Sequence, residues 1–392
     1  MALFSGLFSD LPIYKAMQRI KHLFLAFFLI LSFPVMAQSR PWWFMLEQGK
    51  HSLRSGSYGN ALVSFEDARR GRFDQFTKME GDFIRLLSKP DVRRYGDSLE
   101  FVEKYIAENR ETEAAAALAE LYHRIPKQSL KGSVKLALEE MDRLKAYPEA
   151  EYWIGEAYRA EGELALAFRQ YERAWESRAL LEIPEFDVEI LYQIANIHRL
   201  RREYQEMEKK VQEIVEGNGP SGGPRDKLWA GETSAQIRSA MMRVLENEGF
   251  GRFLTLYRQQ NTVTERAHRL LGFFYYASNR HIPAAEHLMF AFLIQNTVLI
   301  EEIMRREFDF EFTTLEDLMS LVRQRPDLED FLEECEYFRT AHYLATALYA
   351  SGKTKPSREL WALLAGSDKA GEWGERARRN RSPVIERAVE MP

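Results

Sequence analysis

The sequence has little cysteine and no excess of basic residues. Cys335 is the only cysteine among 392 residues, so no internal disulfide can form, and we expect a buried structural role for its thiol. Lysine and arginine together number 54 against 59 aspartates and glutamates, a formal net charge of −5. This balance gives no sign of the basic surface that nucleic-acid-binding domains carry, so no nucleic-acid partner is expected.

The motifs of common catalytic and metal sites are also lacking. The eight histidines include no His-Glu-x-x-His pair, and His281 and His287, six residues apart, would not share one helical face. No Gly-x-Ser-x-Gly nucleophile elbow occurs. We therefore expect no catalytic residue, no bound metal and no cofactor, and we interpret the protein as something other than an enzyme.

The tripeptide Gly352-Lys353-Thr354 matches the end of a phosphate-binding loop. That loop needs a glycine five residues earlier, where this chain has Ala347, and a strand that leads into it. The preceding run, EYFRTAHYLATALYASG, has the apolar spacing of a helix instead. We therefore predict that Gly352 lies past a helix end and that a second helix opens near Pro356.

What the sequence does contain begins with an export signal. Lys15, Arg19 and Lys21 precede a 14-residue apolar core over residues 23–36, which is shorter than the about 20 residues of a membrane-spanning helix. A signal peptidase would cut after Ala37. We therefore predict a signal peptide over residues 1–37 and an exported, periplasmic protein that is soluble after cleavage.

Two points about this N-terminal segment stay open. Translation from Met17 would leave a conventional signal of 21 residues that ends at Ala37. An uncleaved segment would instead anchor the chain in the membrane, which is the one way in which a membrane would be involved.

After residue 37, amphipathic runs with helical spacing alternate with short polar breaks, and convincing β-hairpin signals are lacking. Self-comparison shows one spacing, rich in small residues, in five segments. The five sets are Gly49, Ser52, Gly56, Ala61, Phe65 and Ala68; Gly155, Tyr158, Gly162, Ala167, Tyr171 and Ala174; Ala195, His198, Arg202, Met207, Val211 and Ile214; Gly272, Tyr275, Asn279, Ala284, Leu288 and Ala291; and Ala345, Leu348, Gly352, Ser357, Trp361 and Leu364.

Small residues at these positions let two consecutive helices cross closely. Gly155 and Ala167 would lie at the crossing, and Gly162 would take the left-handed conformation between the helices. The pattern resembles the tetratricopeptide repeat (TPR) family, most clearly in the copies that begin at Gly49, Gly155 and Gly272. The resemblance implies an all-α fold, a solenoid of helix pairs wound into a superhelix with a concave groove.

The run EGNGPSGGPR, residues 216–225, has four glycines and two prolines in ten residues. We predict a linker over residues 217–225 between two helical arrays, one over residues 38–216 and one over 226–392. A lid or ligand loop is the alternative interpretation of the same run.

In a TPR-like stack, the first helix of each pair lines the concave face. A stripe at positions i, i+4 and i+7 on these helices carries aromatic, arginine and other polar residues, which suit an extended peptide and a bidentate arginine–carboxylate pair. We predict that this stripe binds a protein or peptide partner of the cell envelope; the alternative is that neighbouring helices occupy it. The stripe comprises Tyr152, Glu156, Arg159, Tyr192, Asn196, Arg199, Arg269, Phe273, Tyr276, His342, Thr346 and Tyr349.

Two other functions stay open. Apolar segments such as GFFYYA and AMMRVL would suit a ligand-binding or transport-accessory protein that encloses a small apolar molecule. An enzyme is the third possibility. A deep dry pocket would favour the carrier, whereas ionisable residues that converge in a cleft would favour the enzyme.

Overall fold

The computed structural model describes residues 41–87, 143–219, 224–230, 233–260, 262–307 and 309–380, with isolated residues between 104 and 117. The predicted signal peptide, residues 1–37, lies outside the described residues, as do residues 220–223 of the predicted linker. The described part of the chain is helical and contains no β-strand, which confirms the predicted all-α fold class.

Three short 3-10 helices, at Arg178–Leu180, Thr262–Thr264 and Asp368–Ala370, accompany sixteen α-helices in the described ranges. In chain order the α-helices are α1 Trp42–Arg54, α2 Tyr58–Leu87, α3 Pro148–Ala160, α4 Leu164–Glu176, α5 Phe186–Leu200, α6 Tyr204–Glu216, α7 Lys227–Ala230, α8 Ser234–Glu248, α9 Phe250–Leu256, α10 Glu265–Ala277, α11 His281–Arg306, α12 Leu315–Val322, α13 Pro326–Glu334, α14 Tyr337–Ala350, α15 Thr354–Gly366 and α16 Gly371–Arg379.

The five predicted repeat copies coincide with five helical hairpins: α1/α2, α3/α4, α5/α6, α10/α11 and α14/α15. The same register position forms the turn in every hairpin, and its backbone is left-handed each time. The φ values are 76° at Gly56, 86° at Gly162, 61° at Arg202, 59° at Asn279 and 83° at Gly352. The self-comparison therefore identified one structural unit that occurs five times.

The hydrogen bonds of these turns explain why the left-handed residue is needed. In the α3/α4 hairpin, the Gly162 N–H donates to the Arg159 carbonyl at 3.0 Å, and the Glu163 N–H donates to the Tyr158 carbonyl at 2.9 Å. This pair of bonds is the Schellman motif, which satisfies the last carbonyls of a helix through a left-handed residue. The other four hairpins repeat it.

Gly352 lies in such a turn. Its N–H donates to the Tyr349 carbonyl at 2.9 Å, and the Lys353 N–H donates to the Leu348 carbonyl at 2.8 Å. The next helix begins at Thr354. The prediction that Gly352 follows a helix end is therefore confirmed.

Close helix crossings place a large side chain against the glycine of the first helix in three hairpins. A Cβ added to any of these glycines would lie well inside van der Waals contact with the second helix. The nearest atoms belong to Phe65 for Gly49, at 2.3 Å, to Tyr171 for Gly155, at 2.6 Å, and to Leu288 for Gly272, at 2.4 Å.

The chain divides into two compact units, Met1–Ala146 and Tyr147–Pro392. In the second unit, consecutive hairpins pack in chain order: α4 contacts α5, α6 contacts α10, and α11 contacts α14. Each contact joins the second helix of one hairpin to the first helix of the next.

The boundary between the compact units does not fall at the predicted linker, residues 217–225. Val215 and Trp229, on either side of this segment, belong to one hydrophobic core. Arg225 is buried and pairs with Asp187 at 2.6 Å, so the segment ends in a fixed position.

The segment between the α5/α6 and α10/α11 hairpins forms a hydrogen bond and an ion pair with the α14/α15 hairpin. The backbone N–H of Phe250 donates to the Glu359 carboxylate at 3.2 and 3.3 Å, and Lys353 pairs with Glu246 at 3.2 Å. Helices α8 and α9 therefore connect to α14/α15, more than a hundred residues later in the chain.

Among the helices that the structure describes, α11 is the one that is long and apolar enough to cross a membrane. Most of its apolar stretch, 78%, is buried inside the protein, where it packs against α10 and α14. Its position is that of a core helix.

Candidate functional site

A groove of about 390 Å³ opens between α5, α10 and the junction of α13 with α14. We call it the central groove and define it by Tyr192, Asn196, Arg199, Arg266, Arg269, Leu270, Phe273, Glu334 and Glu336. The predicted stripe supplies five of them, namely Tyr192, Asn196, Arg199, Arg269 and Phe273.

Helical periodicity explains why these residues meet. Tyr192, Asn196 and Arg199 follow the i, i+4, i+7 spacing along α5, and Arg266 and Phe273 follow it along α10. Both helices are the first helices of consecutive hairpins, and the second helix α6 packs against each of them. The groove is therefore the seam between two first helices.

Tyr192 contributes an aromatic ring to the lining of the groove. The Arg266 guanidinium stacks over its ring at 4.4 Å, and Arg266 also pairs with Glu189 at 3.4 Å. The Tyr192 side chain is only 4% exposed, and its hydroxyl has no hydrogen-bond partner among the described residues. Burial raises the pKa of Tyr192, so the hydroxyl keeps its proton and stays a donor.

Arg199 is the charge in the groove that no carboxylate balances. Its Nε and Nη2 both donate to Oδ1 of Asn196, at 3.2 and 2.7 Å, and no acidic side chain in the described part of the chain pairs with it. Burial lowers the pKa of Arg199, and the positive Arg266 nearby acts in the same direction. A half-buried guanidinium without a counter-charge is costly, which favours an anionic ligand at this position.

Arg269, which also lines the groove, is neutralised inside the protein. It pairs with Glu265 at 3.2 Å and also with Glu336, which pairs in turn with Arg339 at 3.3 Å. Glu336 has a left-handed backbone, φ 52°, which is uncommon for a residue with a side chain. Burial raises the pKa of Glu265, although Arg269 opposes the shift.

The stripe on α3 does not belong to the central groove. The Tyr171 hydroxyl donates to Glu156 at 2.5 Å, and Arg159 donates to the same carboxylate at 2.7 Å. Tyr152 is buried, and its hydroxyl lies 3.4 Å from Glu189. Tyr152 and Glu156 thus bond to residues of neighbouring helices, whereas Arg159 pairs within its own helix.

The C-terminal part of the stripe is divided between the core and a second cavity. Tyr276, His342 and Thr346 are buried and do not reach the groove surface. The Tyr276 ring packs at 5.3 Å from that of Tyr343. Tyr349 lines a different cavity near the C-terminal end of the described residues.

A buried network of hydrogen-bonded polar side chains was not predicted from the sequence. Nε2 of His268 lies 3.2 Å from the Asp226 carboxylate, and Nδ1 of His268 lies 3.0 Å from Nδ1 of His287. Asp226 also accepts from the side chain of Gln259 at 2.7 Å and from the N–H of Trp229 at 3.1 Å. Asp226, Gln259, His268 and His287 lie in four separate segments, and only the two histidines are polar residues within helices.

Positive charges surround the two buried imidazoles. Burial lowers the pKa of His268, while the Asp226 carboxylate opposes the shift. Burial also lowers the pKa of His287 well below its usual value, and the charges of His268, Arg238 and Arg280 add to this effect. This network is closed to solvent, which suits a structural role better than proton transfer to a substrate. Within the described residues, no three His, Cys, Asp or Glu side chains group as metal ligands.

Comparison with known proteins gives relatives but no functional description. No family model matches the chain. An uncharacterized protein of Treponema pallidum (strain Nichols) is 24% identical over 335 residues, which span 86% of this chain and 88% of the relative. An uncharacterized protein of Borreliella burgdorferi (strain ATCC 35210 / DSM 4680 / CIP 102532 / B31) is 21% identical over 275 residues, 66% of this chain and 83% of the relative. The chain is therefore similar to these proteins over most of its length.

Proposed function

We propose that this protein is an exported TPR-like scaffold whose central groove binds an extended segment of a protein partner in the cell envelope. The observation that carries the proposal is Arg199, a half-buried guanidinium in the groove lining that has no carboxylate partner among the described residues. Export rests on the apolar segment over residues 23–36.

The TPR-like architecture is supported by the hairpins themselves. All five use the same left-handed turn position, and the four hairpins of the second unit pack in chain order. Stacked helix pairs of this kind form extended surfaces that bind peptides along their first helices.

The chemistry of the groove favours a partner segment that carries an acidic group. Arg199 offers a charged donor and Tyr192, about two turns away on the same helix, a buried hydroxyl donor, and acceptor groups of the segment would satisfy them. Glu334 also lines the groove, where it would stabilise a basic residue of the same segment. Both the orientation and the sequence preference of the partner would follow from this arrangement.

Paired variants test the proposal. A partner captured from an envelope extract by the full chain, and identified by mass spectrometry, should bind Arg199→Met at least about tenfold more weakly, as expected when a hydrogen bond to a charged group is lost. Arg159→Met is the matched control, because Arg159 is already paired within its own helix. Equal capture by both variants and the unaltered chain would place the partner elsewhere.

A carrier of small apolar molecules has less support. Three arginines and two glutamates line the central groove, and charged walls disfavour an apolar ligand. The groove is also open along one side, whereas a carrier would enclose its ligand.

A further inference from the structure

A second cavity of about 370 Å³ lies at the C-terminal end of the described chain, between α14, α15 and α16. We call it the Trp361 cavity. Its lining consists of Tyr349, Arg358, Trp361, Ala362, Ala365, Ala377, Arg378 and Asn380. None of these residues belongs to the central groove.

The polar groups of the Trp361 cavity are predominantly donors. Trp361 is 5% exposed, and its Nε1–H is buried with no acceptor among the described residues. The indole N–H can only donate, so it cannot be satisfied by rearranging protons. The side-chain nitrogen of Asn380 is likewise buried without a partner in the described part of the chain.

Two guanidinium groups add positive charge at the same place. Nε of Arg378 donates to the Ala365 carbonyl at 3.1 Å, which orients the group, and Arg358 lies on the opposite helix. The lining that the structure describes contains no carboxylate. Both guanidinium groups are exposed to solvent, and together with the buried donors they favour a ligand that accepts hydrogen bonds and carries negative charge.

The rest of the lining selects the body of that ligand. Three alanines form a smooth apolar surface, and the rings of Tyr349 and Trp361 lie 5.5 Å apart at an angle of 42°. A flat apolar group would pack against the alanines and the two rings. The volume falls in the range of small-molecule sites.

We infer that the Trp361 cavity binds a small organic carboxylate with a flat apolar body, with Trp361 Nε1–H and Arg378 as donors to the carboxylate. This site is independent of the partner-binding groove, because Arg199 and Tyr192 take no part in it.

Phenylacetate serves as the probe. The indole N–H signal of Trp361 in the full-length, isotope-labelled protein is identified by its absence in Trp361→Phe, and it is then followed during titration. Phenylacetate should shift this signal saturably. Benzylamine has a similar aromatic body with the opposite charge, and acetate has the charge without the ring; both should bind at least about tenfold more weakly.

Variants separate ligand binding from folding. In calorimetric titrations, Trp361→Phe retains a similar ring and should weaken phenylacetate binding by about tenfold, as should Arg378→Met. Trp175→Phe, on α4, is the matched control and should leave binding unchanged. The inference is overturned if phenylacetate gives no saturable shift, if benzylamine binds equally well, or if Trp361→Phe binds like Trp175→Phe.

Discussion

Tyr171 fills the space that a side chain at Gly155 would need, since an added Cβ would lie 2.6 Å from Cε1 of the tyrosine ring. Gly155→Ala should therefore lower the free energy of unfolding by about 1–3 kcal/mol through overpacking at the helix crossing. Urea denaturation followed by circular dichroism measures the change.

Gly366 provides the control for this substitution. It also lies in a helix, but no atom beyond its own chain neighbours and the adjacent backbone of that helix lies within 4 Å of the position of its Cβ. Gly366→Ala should change stability by less than about 0.5 kcal/mol or increase it, because alanine favours the helix. Equal losses at Gly155 and Gly366 would contradict the close crossing.

The turn position of the hairpins predicts a stabilising change. Arg202 has φ 61°, a conformation that costs a residue with a side chain about 1–2 kcal/mol. Arg202→Gly should therefore raise the free energy of unfolding by about 1 kcal/mol, and the same change at Arg201, the C-cap residue with a right-handed backbone, should lower it. Thermal melts of the two variants should move in opposite directions.

The His268–His287 pair predicts that stability falls in mild acid. Both pKa values are lowered by burial, so the unfolded chain takes up protons below about pH 6.5 while the folded chain does not. The contribution of the two neutral histidines to the free energy of unfolding is therefore fully present above about pH 6.5. It declines as the pH falls, by up to about 1.4 kcal/mol per pH unit for each histidine.

Urea titrations at pH 7.5, 6.5 and 5.5 measure this slope. His287→Gln, whose amide can still hydrogen-bond to His268, should remove about half of it. A slope that His287→Gln leaves unchanged would show that other groups control the acid response.

The thiol of Cys335 should be unreactive in the folded protein. Burial, with a smaller contribution from Glu265, raises its pKa to about 12, and the thiolate is the reactive form. Its reaction with Ellman's reagent at pH 8 should be at least about a hundredfold slower than in urea-unfolded protein. Comparable rates in the two states would show an open thiol. Because the chain has one cysteine, the measurement reports this site alone.

The hairpins could be predicted from the sequence because their determinants are local. Gly162 and Gly352 lie at fixed distances from the small residues of their own helices, and the Schellman bonds span only a few residues. Turn chemistry and helix crossing are therefore encoded within about 25 residues of chain. Arg202 and Asn279 show that the register persists where glycine does not.

The central groove could be predicted only in part, because its composition depends on contacts between distant segments. Spacing alone placed Arg199 and Arg269 on one stripe, yet Glu336, 67 residues beyond Arg269, neutralises the second of them. His342 and Tyr276 share the periodicity of the stripe but face neighbouring helices. The periodicity of a helix defines its faces, and tertiary packing decides which face is covered.

The hydrogen bond between Phe250 and Glu359 also has a consequence for the order in which the second unit folds. A linear stack can grow by adding each hairpin to its neighbour, so that most contacts have low sequence separation. Here 109 residues separate the two ends of one hydrogen bond, and 107 separate Lys353 from Glu246. Closing loops of this length costs chain entropy before the contacts form. The α14/α15 hairpin should therefore dock onto α8 and α9 slowly and late in folding, and in the folded protein these contacts should keep it from opening.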